Sequence, residues 1–248
     1  MLKHLPNAMT CGNLLCGCIG ILMATQGDLV TAAWLIILAG VLDFGDGLVA
    51  RMVGVSGPFG KELDSLADVV TFGVLPSFIL LELLRGNYPH RYYASTPDET
   101  MLVWSYAAFA IAICGALRLA RFNIDTRQTD QFLGVPIPAN GLVVASLPLM
   151  MNMPVWMPGT WISGIFLSTP FLFAYIVGMS LLMVSELPLM AFKFKSYAWV
   201  ANRVKYGFLI ASILLFVLFQ FAAIPLIIGL YILLSVLTNK QPITPVNH

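Results

Sequence analysis

The chain has 248 residues, of which 59% are hydrophobic and only 10% charged, and its formal net charge is +1. Soluble globular domains carry nearer a quarter charged residues. Together with a mean hydropathy of +0.87, this excludes a soluble domain and gives no basis for nucleic-acid binding.

The start, residues 1–7, is weakly charged and lacks a cleavage-site pattern, so it reads as a mature N-terminus rather than a signal peptide. Apolar blocks of about 20 residues, the length that crosses a bilayer, then recur along the chain. They predict an all-α polytopic bundle of eight spans at 10–26, 30–49, 63–84, 102–119, 140–157, 161–187, 206–220 and 222–237. The expected division is a membrane domain over 1–205, a C-terminal hairpin over 206–237 and a tail over 238–248. Gly45 and Gly47 mark a place where the second span can bend. Glu82, at the far end of the third span, reads as a solvated end residue. Glu186 reads as a partner for Lys193 and Lys195. Cys11, Cys16, Cys18 and Cys114 read as small apolar packing residues, since Cys16 and Cys18 have no matching pair elsewhere.

Lysine and arginine placement sets the orientation. With eight spans and the N-terminus inside, eleven of the thirteen basic residues fall in cytoplasmic segments and only Arg85 and Arg91 fall outside. Both termini are then cytoplasmic and the segment 85–100 faces outward. Small-residue spans are compatible with a homodimer. The lack of an organelle address fits a prokaryotic inner membrane.

Four carboxylates stand in or beside the second and third spans: Asp43, Asp46, Asp64 and Asp68. Carboxylates at membrane depth line polar cavities, pair with one another or hold cations. Positions 43, 46, 47 and 50 share one helix face, and so do 60, 64 and 68. Gly54, Gly57 and Pro58 supply a short turn between the two helices. Two antiparallel helices therefore present two pairs of carboxylates across a gap. Hard oxygen donors without His or Cys favour Mg²⁺, Mn²⁺ or Ca²⁺ over zinc. Two such ions per site would suit displacement at phosphorus. Gly47, Ala50 and Gly60 leave room for a bulky phosphorylated ligand, and Arg51 is placed to meet its phosphates.

The run D-x2-D-G-x2-A-R-x8-G-x3-D-x3-D from Asp43 to Asp68 resembles the motif of the CDP-alcohol phosphatidyltransferase family at every fixed position. The resemblance implies a helical membrane enzyme that displaces CMP from a CDP-linked lipid, with Mg²⁺ or Mn²⁺ as cofactor. It implies that Asp43, Asp46, Asp64 and Asp68 bind metal and that Asp68 is the general base. Gly47, Ala50, Arg51 and Gly60 would line the CDP-lipid site. The family often has Ser or Thr where this chain has Gly57, so Ser56 and Gly57 stand in that contact.

Three further segments are similar to the serine-using branch of the family: Pro6–Asn13 with Asn7, Thr10 and Asn13; Arg118-Leu-Ala-Arg121-Phe-Asn123; and Phe132–Ala139 with Gly134 and Pro136. They imply nucleotide or phosphate contacts in the first and an acceptor site in the other two. L-serine would be the acceptor and CDP-diacylglycerol the donor. An arginine fork at Arg118 and Arg121 suits a carboxylate, although both could instead anchor the helix end at anionic headgroups. Glycerol 3-phosphate or inositol phosphate would suit the same arginines. A divalent-cation transporter is the rival of another class, but it predicts repeat symmetry that the sequence lacks.

Overall fold

The computed structural model describes residues 4–55, 57–86, 99–124, 132–153, 160–190 and 199–238. The first three helices are α1 (Leu5–Thr25), α2 (Leu29–Val53) and α3 (Pro58–Arg85). They are followed by α4 (Leu102–Ile124), α5 (Ile137–Met151), α6 (Thr160–Phe166) and α7 (Thr169–Val184). The last two, α8 (Trp199–Phe219) and α9 (Ala223–Thr238), are joined through a short 3-10 turn at Gln220–Ala222.

Among the described residues, five helical runs are long and apolar enough to cross a membrane, or six if the bent α6–α7 pair is one span. The chain is a polytopic all-α membrane protein. Val41, Leu181 and Val217 each leave more than half of their surface exposed, as lipid-facing side chains do. The last run, Asn202–Thr238, is 37 residues long and comprises most of α8, the 3-10 turn and α9. Phe208 and Tyr231 nevertheless bring their ring centroids to 6.0 Å. A straight helix would separate them by about 34 Å. Gln220, at φ 48°, turns the chain back, so this run is the expected hairpin.

Close approach among the first three helices depends on small residues. A Cβ at Gly17 would lie 2.5 Å from the Thr71 hydroxyl, so α1 and α3 meet where no larger residue fits. Asp28 caps α2 by accepting the Thr31 N–H at 3.0 Å. Helix α2 runs unbroken past Gly45 and Gly47 and ends at Gly54, whose φ of 68° gives a left-handed cap. Gly57 and Pro58 then open α3, with Gly57 as its N-cap and Pro58 in its first turn.

Several expectations are corrected. The sixth span is two helices bent by 66°, because Pro170 cannot donate the backbone bond that would carry α6 into α7. Helix α3 starts earlier than expected and contains a π turn at Val69–Val74. A two-residue antiparallel pair, β1 (Phe132–Leu133) with β2 (Pro188–Leu189), joins the loops after α4 and α7. Glu82 is buried rather than solvated and pairs with Arg85 at 3.6 Å, while Arg85 Nε donates to Ser105 Oγ at 3.2 Å. The expected partnership of Glu186 with Lys193 and Lys195 lies outside the described residues, as does residue 56.

Gly134 supports the loop between α4 and α5. Its φ is +69°, and a Cβ there would stand 2.6 Å from the Met183 carbonyl oxygen. Its own N–H donates to the Leu187 carbonyl at 3.0 Å. Left-handed backbone costs a substituted residue about 1–2 kcal/mol before any clash. Gly134→Ala is therefore expected to lower the thermal midpoint of the detergent-solubilised protein by several degrees. An unchanged midpoint would show that the loop can relax.

Candidate active site

Residues Asp43 and Asp46 sit one turn apart on α2; Asp64 and Asp68 sit one turn apart on the facing part of α3. One carboxylate oxygen from each of Asp43, Asp64 and Asp68 lies within 4.8 Å of the other two. Three like charges this close repel strongly in apolar surroundings, and a cation among them would reverse the sign of the interaction. Oδ1 of Asp64 is buried and has no hydrogen-bond partner among the described residues, which leaves a hard donor atom free. This donor set fits a divalent metal ion. Asp46 stands beside the trio rather than within it.

Helix α1 supplies the neutral donors. Thr10 Oγ1 donates to Asp46 Oδ2 at 2.6 Å, and Asn13 Nδ2 donates to Asp68 Oδ1 at 3.2 Å. Thr10 and Asn13 are three residues apart, so one face of α1 serves both acidic helices. Asn13 is fully buried, and its own Oδ1 has no partner among the described residues.

Beside the carboxylates is a cavity of about 500 Å³. Asn7, Thr10, Gly47, Ala50, Gly57 and Gly60 all line it, together with Asp46 and Asp64. A Cβ at Gly47 would meet nothing within 4 Å, so that glycine opens space in the cavity wall. The sequence reading missed His4, Phe59 and Lys61, which also line the cavity. Phe59 and Lys61 flank Gly60, and that adjacency was the available signal.

Other expected contacts fall elsewhere. Arg51 is exposed on the last turn of α2 and is not part of the lining. Asn13 lies deeper than the cavity and attends to Asp68. The two arginines of α4 separate: Arg121 is exposed and donates to the Val184 carbonyl at 3.1 Å, holding the end of α7. Arg118 is buried, stacks over Phe122 with its guanidinium carbon 5.8 Å from the ring centroid, and has no partner for Nε among the described residues. It is close enough to Asp68 to interact electrostatically with it. Asn123 Nδ2 donates to Ser65 Oγ at 3.0 Å, and its carbonyl accepts from Lys61 Nζ at 3.2 Å, tying α4 to α3. Gly134 and Pro136 shape the loop entering α5, where Pro136 is the N-terminal cap, and neither lines the cavity.

A membrane bundle with a carboxylate cluster beside a glycine-walled cavity is a scaffold for chemistry on a phosphorylated lipid. The chain belongs to the CDP-alcohol phosphatidyltransferase family, whose model matches residues 3–177. It is 32% identical over 236 residues to a CDP-diacylglycerol–serine O-phosphatidyltransferase of Helicobacter pylori, covering 94% of this chain and 89% of that one. A protein of the same name from Bacillus subtilis is 31% identical over 192 residues, 77% of this chain and 93% of its own. An archaetidylserine synthase of Methanothermobacter thermautotrophicus is 34% identical over 148 residues, 58% of each chain.

Thr10→Val would leave Asp46 Oδ2 without its buried donor. Hydrogen bonds to charged groups contribute about 1.5–3 kcal/mol, so a clear fall in thermal midpoint is expected. Thr10→Ser, which keeps the hydroxyl, should recover most of it. Equal losses for both variants would assign the effect to packing.

Proposed function

We propose that the protein transfers a phosphatidyl group from CDP-diacylglycerol to the hydroxyl of L-serine, giving phosphatidylserine and CMP. The observation that carries this reading is the meeting of Asp43 and Asp68 with Asp64, which together with Asp46 also lines a cavity walled by the motif's small residues. The names borne by the Helicobacter and Bacillus relatives support serine as the acceptor.

In this reading CDP occupies the cavity, and the acyl chains remain in the surrounding lipid. Asp68 takes the proton of the serine hydroxyl. The serine oxygen forms its bond to the lipid-side phosphorus, and the bond from that phosphorus to the CMP oxygen breaks. CMP leaves with the electron pair. Asn13 holds one oxygen of Asp68 and leaves the other for the acceptor. Arg118, buried near Asp68 with no partner for Nε among the described residues, receives the serine carboxylate. Asp43, Asp64 and Asp68, with Asp46 beside them, would hold Mg²⁺ or Mn²⁺, which when bound neutralises diphosphate charge. No covalent intermediate is invoked, since the acceptor oxygen reaches phosphorus directly. The basic-residue bias supports a cytoplasmic position for this end of the bundle, and the bacterial relatives fit an inner membrane.

Purified protein with CDP-diacylglycerol and Mn²⁺ is expected to release CMP when L-serine is added. Release should be much weaker with glycerol 3-phosphate, inositol phosphate or no acceptor. Asp68→Asn should lower the rate by at least about 100-fold, the range for loss of a general base. Release with a different acceptor only would overturn the serine assignment. Retained activity in Asp68→Asn would remove the base.

A second expectation separates charge repulsion from metal binding. Asp64→Asn removes one of three crowded charges, so in a chelator the variant should melt at or above the wild-type temperature. Saturating Mn²⁺ should raise the wild-type midpoint, a gain of about 2.7 kcal/mol at 100 times Kd. The variant should gain little. An equal Mn²⁺ shift in both proteins would count against the trio as the metal site.

A further inference from the structure

Pro76 lies inside α3, where a regular helix would require its missing N–H to pair with the Phe72 carbonyl and where its ring would crowd that same oxygen. The helix widens instead. Val69–Val74 forms a π turn, and the Leu75 N–H reaches back five residues to the Val70 carbonyl. The turn begins at the residue after Asp68. Such insertions are rare and recur at functional sites.

Side chains from other helices complete this turn. Asn140 on α5 is fully buried, and its Nδ2 donates to the Phe72 carbonyl at 3.3 Å. Tyr175 on α7 donates its hydroxyl to Asn140 Oδ1 at 2.7 Å, which fixes the amide's orientation. Gly141 lets α5 approach, since a Cβ there would lie 2.8 Å from a Phe72 ring carbon. On the opposite side Thr71 Oγ1 donates to the Asn13 carbonyl at 3.1 Å, and the Asn13 side chain holds Asp68. The π turn is thus pinned between the Asn140–Tyr175 pair and the residue that grips Asp68.

We infer that Asn140 and Tyr175 are positioning residues for Asp68, which they serve by holding the π turn that Pro76 imposes. A helix turns about 100° and rises about 1.5 Å per residue. Regularising the turn by one residue would swing the Asp64–Asp68 segment by about that angle relative to the rest of α3. Asp68 would then leave the group it forms with Asp43. The inference rests on the proposed role of Asp68, but the geometry can be tested without the serine reaction.

The test compares Pro76→Ala, Asn140→Leu and Tyr175→Phe in the full-length, detergent-solubilised protein. Three quantities are measured: thermal midpoint, Mn²⁺ affinity by electron paramagnetic resonance, and serine-dependent CMP release. Pro76→Ala restores an N–H for the Phe72 carbonyl. It should melt at or above the wild-type temperature, bind Mn²⁺ at least about tenfold more weakly and lose kcat by up to about 100-fold, the scale of a 1 Å misplacement. Tyr175→Phe should lower kcat while leaving the KM for CDP-diacylglycerol within about twofold, because the cavity is untouched. Asn140→Leu should do the same more strongly. A folded Pro76→Ala protein with wild-type Mn²⁺ affinity and kcat would overturn the inference, as would a lower melting temperature for that variant. Should wild type release no CMP with serine, the acceptor assignment fails, and the Mn²⁺ and melting comparisons decide the positioning role alone.

Discussion

Three carboxylates held within 4.8 Å of one another in an apolar bundle are the constraint around which the rest is arranged. At that spacing each pair of unit charges repels by about 1 kcal/mol in water and about 3–4 kcal/mol at an effective dielectric of 20. The fold must offset this with donors, a cation or a proton. Asn13 brings a neutral donor from α1 to Asp68, Thr10 does the same for the adjoining Asp46, and Arg118 brings positive charge from α4. Small residues at the contacts of α1 and α3 let those donors come within reach. The apolar helices contribute rigidity, which keeps the acidic residues from relaxing apart.

The two ends of the bundle treat charge differently. At the far end Glu82 and Arg85 form an ion pair buttressed by Ser105 and by the Tyr106 ring 5.1 Å from the guanidinium. That pairing needs no ligand. At the acidic end Asp64 Oδ1 and Arg118 Nε are buried with unused capacity. An unused acceptor of negative sign and an unused donor of positive sign, both near Asp68, suit a cation and an anion arriving together. A metal ion with a phosphorylated substrate is such a pair.

Much of the site was legible in the sequence because it depends on local geometry. The spacing of Asp43, Asp46 and Gly47 on one helix, and of Gly60, Asp64 and Asp68 on the next, places those side chains without tertiary information. The turn at Gly54, Gly57 and Pro58 follows from backbone preference alone. What escaped depends on contacts between distant segments. Asn13 read as a nucleotide contact, yet α1 crosses α3 at Asp68. Arg118 and Arg121 read as a matched fork, but contacts with other helices divide them: Arg118 interacts with Asp68, while Arg121, a turn further on, is taken up by the Val184 carbonyl of α7. Glu82 looked solvated because its partner Ser105–Arg85 network lies across a helix interface. The bend at Pro170 and the π turn before Pro76 were hidden inside continuous apolar runs, where hydropathy carries no information about backbone hydrogen bonding.

The most direct test of this account is anomalous diffraction from crystals of the protein soaked in Mn²⁺. A strong peak is expected among the carboxylates of Asp43, Asp64 and Asp68, with Asp46 close enough to join the coordination. A fully occupied peak elsewhere, with nothing among these residues, would contradict the claim that they form a metal centre.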